Sequence, residues 1–329
     1  MNEKSSLQDI KNLRTAVIGV GSLGKHHARN YAELSSEGKG KLVAVCDIDE
    51  SRAKTIGAEY GCDSFTDWRD LLDVVDAVSI VTPTETHCEI ACAFLEKGIH
   101  VLVEKPIARK LEEADLMIKK AEESGAKLMV GHLERFNPAM VALRPHVANP
   151  LYFEIHRISP FPNRSLDVDV VLDVMIHDLD AVQWLVGENV KVSSVHAVGI
   201  PVLSDKIDAA NARIEFENGA VANITASRIG TEKIRKTRFY QPYSYVVLDY
   251  ATRFASLTSL VLSDEGSGIS INRLKVDDFE PLRAEIEAFL DCIVNNTTPP
   301  ISGYDGRNAL KLAVQVLEKI QEHRDKLKV

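Results

Sequence analysis

The sequence predicts an α/β protein in which a doubly wound parallel sheet is followed by an α+β domain with a large, mostly antiparallel sheet. Short apolar runs alternate with helical patterns as far as residue 131, which is typical of βαβ units with right-handed crossovers. Alternating segments follow, and Asn218-Gly219 between two of them is a strong hairpin signal. The 329 residues, 45% of them hydrophobic, are enough for two cores.

The predicted first domain covers residues 1–131 and begins with a polar tail over residues 1–13. Its strands are short β-rich or apolar runs, namely Arg14–Gly19, Lys41–Asp47, Asp76–Val81, His100–Val103 and Lys127–Gly131. Helices are predicted over Leu23–Leu34, Glu50–Tyr60, Glu85–Lys97 and Leu111–Ser124. The last three are each followed by glycine, which commonly ends a helix.

The predicted second domain covers residues 132–329. Its helices are expected over Pro138–Pro145, Asp169–Val186, Leu282–Asn295 and Asp305–Asp325. Its strands are expected over Leu151–Arg157, Val190–Gly199, Asn211–Phe216, Ala220–Arg228, Arg238–Gln241, Tyr245–Tyr250, Ser256–Leu262 and Ile269–Leu274. Since no flexible linker separates the two parts, we expect them to pack closely.

Composition excludes several classes of protein. With 48 acidic and 39 basic residues the net charge is −9, which argues against a nucleic-acid or anionic-membrane binder. No run of about 18 apolar residues indicates a membrane span, and the N-terminus lacks a signal-peptide core, so we expect a cytoplasmic protein. The five cysteines do not suggest disulfides. Cys88 and Cys92 could bind a metal, but helix packing is favoured because no second pair has matching spacing.

A glycine turn follows the first predicted strand and precedes the first predicted helix. Gly19 suits a tight turn, Gly21 a close approach of the backbone to phosphates, and Gly24 close packing of helix and strand. The helix start at Ser22 and Leu23 offers N–H groups and a positive dipole to a pyrophosphate. The context predicts a dinucleotide-binding Rossmann domain, and the alternative is a strand–helix turn that binds nothing.

Asp47 ends the second predicted strand. A carboxylate there can accept hydrogen bonds from both ribose hydroxyls of the adenosine, and it would repel the 2′-phosphate of NADP. No Arg or Lys follows it immediately, so the sequence favours NAD over NADP. The alternative is a helix cap or a solvated strand end.

Lys105 lies in the sequence Glu104-Lys105-Pro106 at the end of a predicted buried strand. Ligands of such sheets bind at this edge, and burial can turn a lysine into a proton donor or acceptor. The alternative is a solvated loop residue.

Asp173 and His177 are spaced i, i+4 on a very apolar predicted helix, so they share one face. Histidine is the natural acid–base group near neutral pH, and a carboxylate can orient it. The alternative is a buried pair that only links the domains. Asp178 could join them as a metal ligand, but it points elsewhere on the helix, and no metal is predicted.

Four motifs together carry a resemblance to a known family. GVGSLGKHH, VTPTETH, EKP and DVMIHDLD, in this order and spacing, resemble the Gfo/Idh/MocA oxidoreductases from about Arg14 to the C-terminal helix. The resemblance implies a Rossmann domain followed by a substrate-binding α/β domain with a large sheet, through which many members form dimers or tetramers. It also implies oxidation or reduction of sugar or cyclitol alcohols with NAD or NADP.

The same resemblance assigns roles by position. It implies that Lys105 contacts substrate and cofactor, that Asp173 and His177 are the paired acid–base residues, and that the peptide before Pro106 is cis. The residues that it places near the cofactor are Thr82, Pro83, Thr84, His87 and Glu104. One departure is the approach to Asp173, where Leu166–Leu172 replaces the glycine-rich segment of many relatives, so the wall beside the substrate is expected to differ.

A finer resemblance joins Gly131–Met140 (GHLERFNPAM) and the segment His156–Asp180 to the UDP-N-acetylglucosamine 3-dehydrogenases of this family. It implies oxidation of the sugar 3-hydroxyl to a ketone, a place in lipopolysaccharide or lipid A biosynthesis and a downstream aminotransferase. The residues then expected near the UDP-sugar are Glu134, Arg135, Asn137, Arg157, Arg164 and His177. Arginine suits the diphosphate because its fork makes bidentate bonds, and the alternative for these arginines is interdomain salt bridging.

Two rival functions remain open at this point. One is a dehydrogenase of a free sugar or inositol. The other is a non-catalytic nucleotide-binding regulator, although such relatives often lose the catalytic Lys or His that this chain retains. In the enzymatic hypothesis Lys105 or His177 removes the alcohol proton, and the sequence does not decide which acts first.

Overall fold

The computed structural model describes residues 10–161, 168–187, 189–263 and 266–326. By its contacts the chain divides into two units. The first comprises the described residues up to Leu133 together with Glu280–Asn308, and the second comprises those of Glu134–Phe279 and from Ala309 onward. This division differs from the contiguous one at residue 131 that the sequence predicts, because the segment Glu280–Asn308 packs back onto the first unit.

The first unit is built on a parallel sheet with the strand order β3-β2-β1-β4-β5-β6. The strands are β1 (Arg14–Ile18), β2 (Lys41–Cys46), β3 (Asp63–Phe65), β4 (Ala77–Ile80), β5 (His100–Glu104) and β6 (Leu128–Gly131). The sequence predicted all except the three-residue β3. Because the order reverses beside β1, the carboxyl ends of β1 and β4 open a crevice of the kind in which α/β proteins bind ligands.

Four helices connect these strands. They are α1 (Gly24–Ser36), α2 (Glu50–Tyr60), α3 (Thr84–Glu96) and α4 (Leu111–Ser124). Gly61 and Gly125 end α2 and α4 in the left-handed conformation, which glycine adopts without steric cost.

The second unit contains a sheet with the order β14-β13-β12-β11-β7-β10-β9-β8. Its strands are β7 (Tyr152–Ile158), β8 (Val192–Ile200), β9 (Ala209–Phe216), β10 (Val221–Ser227), β11 (Ile234–Gln241), β12 (Ser244–Asp249), β13 (Phe254–Ser263) and β14 (Gly266–Arg273). Neighbouring strands are antiparallel except β7 and β10, which are parallel. The hairpin predicted at Asn218-Gly219 is confirmed, with Gly219 at a φ of +86° between β9 and β10.

Two helices of the second unit share a buried core with the strands of this sheet. They are α5 (Pro138–Leu143) and α6 (Ile176–Val186), and a π-helical turn over Val171–Met175 leads into α6. The sequence predicted a single helix over Asp169–Val186, so the π turn is a local difference. Single π-helical turns occur often at functional sites.

Two further helices complete the chain. The apolar face of α7 (Pro281–Val294) packs against α1 in the first unit, which explains why this late segment belongs there. The helix α8 (Gly303–Arg324) contributes its first residues to the first unit and the rest to the second. Short 3-10 turns lie at Trp68–Leu71, Leu133–Phe136 and Arg144–His146. Within the described residues no helix combines the length and apolar character that crossing a membrane requires.

Candidate active site

In the glycine turn of the first unit, Gly19 and Gly24 leave no room for a side chain, whereas Gly21 does. A Cβ on Gly19, whose φ is +84°, would lie 2.5 Å from the carbonyl oxygen of Val81, and one on Gly24 would lie 1.7 Å from that of Gly19. These two glycines are therefore required by the packing of the chain itself. A Cβ on Gly21 would meet no described atom within 4 Å, so the bare backbone at Gly21 borders open space that a ligand can approach.

The N-terminus of α1 starts at this turn, directly after Ser22 and Leu23. Its N-cap residue, Leu23, makes no side-chain capping hydrogen bond, and its first turn carries no acidic residue. The positive end of the helix is thus not neutralised by its own turn, which fits an anionic group. The open backbone at Gly21 and this helix end together fit a dinucleotide phosphate.

Asp47 follows β2 and is only 6% exposed. Its carboxylate accepts hydrogen bonds from the backbone N–H groups of Val20 (2.9 Å) and Asp49 (3.0 Å). The helix cap at the start of α2 is Asp49, whose side chain accepts from Arg52 N. The residue that caps this helix is therefore Asp49 and not Asp47.

Arg52 is a residue that the sequence reasoning missed. Its Nη1 lies 3.1 and 3.2 Å from the two oxygens of Asp47, and its side chain is 46% exposed. A guanidinium at this position can bind a phosphate as well as a carboxylate. The sequence favours NAD because no basic residue directly follows Asp47. Arg52 weakens this argument, because the helix α2 places its guanidinium beside the Asp47 carboxylate. Ile48, between them in sequence, is 95% exposed and presents an apolar surface beside Asp47.

The segment Thr82–His87 follows β4. Thr82 Oγ1 accepts a hydrogen bond from Thr86 Oγ1 at 2.7 Å, and Pro83 and Thr84 begin α3. His87 is buried, with its ring nitrogens 2.9 Å from Thr82 O and 3.0 Å from Pro106 O. Burial lowers the pKa of His87 despite these two carbonyl acceptors. His87 thus ties the loop after β4 to the loop after β5, and its ring faces the chain rather than open space.

Glu104 ends β5 and Lys105 follows it, and the peptide between Lys105 and Pro106 is cis, which confirms the prediction. His27 Nε2 donates to Glu104 Oε1 at 3.2 Å, and Lys105 N donates to Glu104 Oε2 at the same distance. Burial opposes the charge of this carboxylate, but His27 and the Lys105 ammonium lower the pKa of Glu104 below its usual value. Glu104 is therefore an ionised group held beside Lys105. The partner His27 lies in the GKHH segment, to which the sequence reasoning assigned no separate role.

These segments share one edge of the sheet. The glycine turn follows β1, Asp47 follows β2, Thr82 follows β4 and Lys105 follows β5. Because parallel strands end at the same edge, the structure brings the predicted cofactor residues of the first unit together.

Asp173 and His177 lie in the second unit. Asp173 is in the π-helical turn, His177 is in the first turn of α6, and both are half-buried. The backbone N–H of Asp173 donates to Asp169 O at 3.1 Å. A wider π turn still returns to nearly the same direction after four residues, so the pair remains on one side of the helical segment.

The predicted substrate residues of the second unit form a buried ion-pair network. Arg157 makes a bidentate pair with Asp178, both contacts at 2.8 Å, and donates to Glu134 at 2.6 Å. Arg135 makes a second bidentate pair with Asp180, at 2.6 and 2.9 Å. The side chains of both arginines are at most 6% exposed. These ion pairs lie within the second unit, and they fix α6 on either side of Leu179.

Burial opposes the charge on Arg157, but Asp178 and Glu134 raise its pKa, so the guanidinium stays charged. Asn137 is equally occupied by the chain, since its Oδ1 accepts from Ala139 N as the cap of α5 and its Nδ2 donates to Tyr250 O. The sequence predicts these side chains near a UDP-sugar, and in the structure their polar groups form hydrogen bonds within the second unit. Arg164 lies outside the described residues.

Arg235 on β11 is 43% exposed and lies 3.9 Å from Glu134, at the margin of the buried network.

Cys88 and Cys92 are neighbours on α3 with their sulfurs 4.0 Å apart. In the part of the chain that the structure describes, no three His, Cys, Asp or Glu side chains gather as a group that could hold a metal ion.

Comparison with known proteins gives two family matches. Residues 13–132 match an oxidoreductase family with an NAD-binding Rossmann fold, GFO_IDH_MocA, and residues 147–240 match the GFO/IDH/MocA C-terminal domain. The chain is 38% identical over 312 residues to the UDP-N-acetylglucosamine 3-dehydrogenase of Acidithiobacillus ferrooxidans, covering 92% of this chain and 96% of that one. It is 29% identical over 325 residues to the scyllo-inositol 2-dehydrogenase (NAD(+)) of Bacillus subtilis, covering 92% of each.

Solved structures give the same relationships. The Acidithiobacillus ferrooxidans UDP-N-acetylglucosamine 3-dehydrogenase, GnnA, superimposes with a TM-score of 0.87 at 37% identity, over 94% of this chain and 98% of that one. A levoglucosan dehydrogenase in complex with NADH and levoglucosan superimposes with a TM-score of 0.85 over 94% of this chain and 98% of that one, but at 22% identity it supports the fold alone. The predicted fold class, a Rossmann domain followed by a mostly antiparallel α+β domain, is confirmed.

Proposed function

The chain belongs to the Gfo/Idh/MocA family of oxidoreductases, and from this premise we propose that it is an NAD-dependent dehydrogenase that oxidises the 3-hydroxyl of UDP-N-acetylglucosamine to a ketone. The observation that carries the substrate is the 38% identity to a UDP-N-acetylglucosamine 3-dehydrogenase along nearly the whole of both chains. Lys105, Asp173 and His177 supply the acid–base groups that such a reaction needs.

The first unit supplies the cofactor site in this proposal. The turn from Gly19 to Gly24 and the N-terminus of α1 hold the pyrophosphate, and Asp47 holds the adenosine ribose. The open backbone at Gly21 supports this fit. When bound, NAD supplies the acceptor for the hydride that leaves the sugar carbon. Ile48 offers an exposed apolar side chain to the adenine next to the ribose site.

Lys105 or His177 takes the alcohol proton. Glu104, kept ionised by His27, provides a negative charge beside Lys105. Asp173 precedes His177 by one helical turn and can orient its ring. Either group can act first, since both are half-buried acid–base side chains.

In this proposal the sugar nucleotide is recognised by His177 and by the helix α6 that carries it. The pairs Arg157–Asp178 and Arg135–Asp180 hold α6, which carries His177, and we assign them this support role. The diphosphate then needs cations that solvent can reach. Arg235, at the margin of the network, meets that condition.

The decisive experiment is a substrate panel read by NADH formation. We expect turnover with UDP-N-acetylglucosamine and little with N-acetylglucosamine, glucose or inositols. Lys105→Met should lower kcat by about 10²- to 10⁴-fold, the usual contribution of a positioned acid–base group, with NAD binding nearly unchanged. Turnover of inositols alone would favour the second candidate, which the 29% identical scyllo-inositol 2-dehydrogenase supports. NAD binding without turnover of any substrate would favour a regulatory protein.

The choice between NAD and NADP is a separate test at Asp47. Dissociation constants of both cofactors should be measured for the wild type, Asp47→Ala and Arg52→Ala. We expect the wild type to prefer NAD, and Asp47→Ala to lose most of that preference. Arg52→Ala should leave NAD binding intact and weaken any binding of NADP. A wild type that prefers NADP would overturn the role given to Asp47 and transfer the specificity to Arg52.

The proposal extends to partners. We expect a homodimer or homotetramer, which light scattering coupled to gel filtration measures directly. A ketone product is the substrate class of an aminotransferase, so a coupled assay with an amino donor and such an enzyme should consume the product. In that scheme the reaction would serve lipopolysaccharide or lipid A biosynthesis.

A further inference from the structure

The segment that leads into the catalytic π-helical turn is fastened at three consecutive residues. Arg228 Nη1 donates to Val168 O at 2.7 Å. Ile207 N donates to Asp169 Oδ1 at 2.8 Å. Val170 N donates to Ile207 O at 2.9 Å. All three contacts join parts of the chain that lie 37 or more residues apart, so this anchoring is tertiary and not a property of the helix.

Ile207 and Arg228, which make these contacts, are linked to a buried ion pair between Arg228 and Asp208. Asp208, next to Ile207, is fully buried and accepts from the fully buried Arg228 at 2.8 Å. It also accepts from the backbone N–H groups of Val202, Leu203 and Ser204, at 2.7 to 2.9 Å. Burial opposes its charge, but these hydrogen bonds hold the pKa of Asp208 well below its usual value. The amide of Ile207 is therefore presented from a fixed ionic centre.

Asp169 links these contacts to the π-helical turn that contains Asp173. Its carbonyl oxygen accepts from the N–H groups of Leu172 and Asp173, both at 3.1 Å. The position of Asp169 thus sets where the turn begins, and the direction of Asp173 follows. His177 lies one turn further along the same helical segment. Asp169 also falls within Leu166–Leu172, where the sequence departs from the glycine-rich pattern of the family.

We propose that Asp169 is a positioning residue, whose side chain latches onto the amide of Ile207 and thereby fixes the orientation of Asp173 and His177. The role depends on where the acceptor oxygen lies and not on the charge of the carboxylate. The proposal rests on the proposed function only in so far as Asp173 and His177 act in catalysis. A misplacement of about 1 Å in a catalytic group can cost about 10² in rate, so loss of the latch has a measurable effect.

Three substitutions separate geometry from charge. Asp169→Asn keeps an acceptor oxygen in place, Asp169→Ala removes it, and Asp169→Glu keeps the charge but moves the acceptor by one methylene. We expect Asp169→Asn to retain kcat within about threefold, and the other two to lose about 10- to 100-fold. The KM for NAD should stay constant in all three. The pH profile of kcat should shift for Asp169→Ala and Asp169→Glu, because the surroundings of His177 change, and should not shift for Asp169→Asn.

Two results would overturn the proposal. One is an Asp169→Ala variant with the kcat and pH profile of the wild type. The other is an Asp169→Glu variant that is active while Asp169→Asn is impaired, since that pattern assigns the effect to charge. Amide hydrogen exchange provides a readout that needs no substrate: exchange at Val170–Asp173 should accelerate in Asp169→Ala and not in Asp169→Asn. If the wild type oxidises no UDP-sugar, the proposed function fails, and unchanged exchange in Asp169→Ala would separately refute the latch.

Discussion

Glu285, on α7 in the first unit, is the residue whose replacement should stabilise the protein most clearly. Its side chain is fully buried, and neither carboxylate oxygen has a hydrogen-bond partner among the described residues. Burial and the nearby negative charge of Glu104 raise the pKa of Glu285 well above its usual value. We therefore predict that Glu285→Met and Glu285→Gln both increase the free energy of unfolding at about pH 8.

The magnitude follows from the missing hydrogen bonds. A buried polar group without a partner costs about 1–3 kcal/mol, and methionine fills a similar volume without polar atoms. Glu285→Met should thus stabilise by about 1–3 kcal/mol, or about 2–4 °C in Tm per kcal/mol for a unit of this size. Glu285→Gln should stabilise less, because the amide remains polar and unpaired.

The pH dependence has a definite sign. The folded state holds the proton of Glu285 more tightly than the unfolded state, so the wild type loses stability as the pH rises from about 4.3, the unfolded value, toward the raised folded value. At about pH 4 the carboxyl is protonated in both states. The advantage of Glu285→Gln over the wild type should therefore shrink on acidification.

Urea unfolding measures these differences. Trp68 lies in the first unit and Trp184 in the second, and the chain has two tryptophans, so Trp68 fluorescence in a Trp184→Phe background follows the first unit. Glu287→Gln on the same helix is the matched control: its ion pairs with Lys39 and Arg283 are partly exposed, and such pairs are worth about 0–1 kcal/mol. Destabilisation by Glu285→Met at about pH 8, or a Glu285→Gln advantage that does not change with pH, would refute the reasoning.

Further predictions concern each unit in turn. Gly24→Ala should unfold or strongly destabilise the first unit, whereas Gly21→Ala should keep the wild-type Tm and lose NAD affinity; calorimetry and cofactor titration separate the two. Arg157→Met should cost about 3–5 kcal/mol in urea unfolding, because Asp178 loses its buried partner. Arg235→Met should raise the KM for a UDP-sugar and leave Tm unchanged, and an unaltered KM would remove it from diphosphate recognition. Stability should fall below about pH 4 as Asp208, whose folded pKa is depressed, is protonated, and Asp208→Asn should flatten this acid limb.

The parallel sheet of the first unit could be predicted because each of its longer strands is a continuous apolar run between helical patterns. The strand β3, Asp63–Phe65, escaped prediction because it has three residues and no buried side chain. The return of α7 to the first unit also escaped. An amphipathic helix shows in sequence which of its faces is buried, but not which partner covers that face.

The second unit shows a similar limit. Its alternating strands and the Asn218-Gly219 hairpin follow from period-two patterning and turn chemistry, so β8 to β14 could be expected within a few residues. The parallel pairing of β7 with β10 could not, because periodicity carries no information on strand order. The π turn at Val171–Met175 was hidden for a related reason: an apolar run is compatible with α- and π-helical hydrogen bonding alike.

At the candidate site, the sequence pointed to candidate reactive residues but not to the groups that pair with their neighbours. Lys105 and His177 stand out because a charged group in an apolar setting requires a reason. The partner of Glu104 is His27, 77 residues away, and Arg157 meets Asp178 across 21 residues. Such pairs form only after folding, so composition and spacing could not reveal them. Arg52 differs, since it lies five residues after Asp47 on the next helix and could have been found by following the helix start back to the strand end.

The burial of Arg135 and Arg157 bears on the proposed recognition of a sugar nucleotide. A guanidinium has five N–H donors and a bidentate pair uses two of them, but withdrawing a buried guanidinium from its carboxylate is costly in a desolvated interior. In the proposed function the two arginines support α6, whose Asp178 and Asp180 they hold on either side of Leu179. That proposal assigns diphosphate binding to cations that solvent reaches, of which Arg235 is one. An arginine count in the sequence cannot make this distinction, because it depends on which carboxylate each guanidinium meets in the fold.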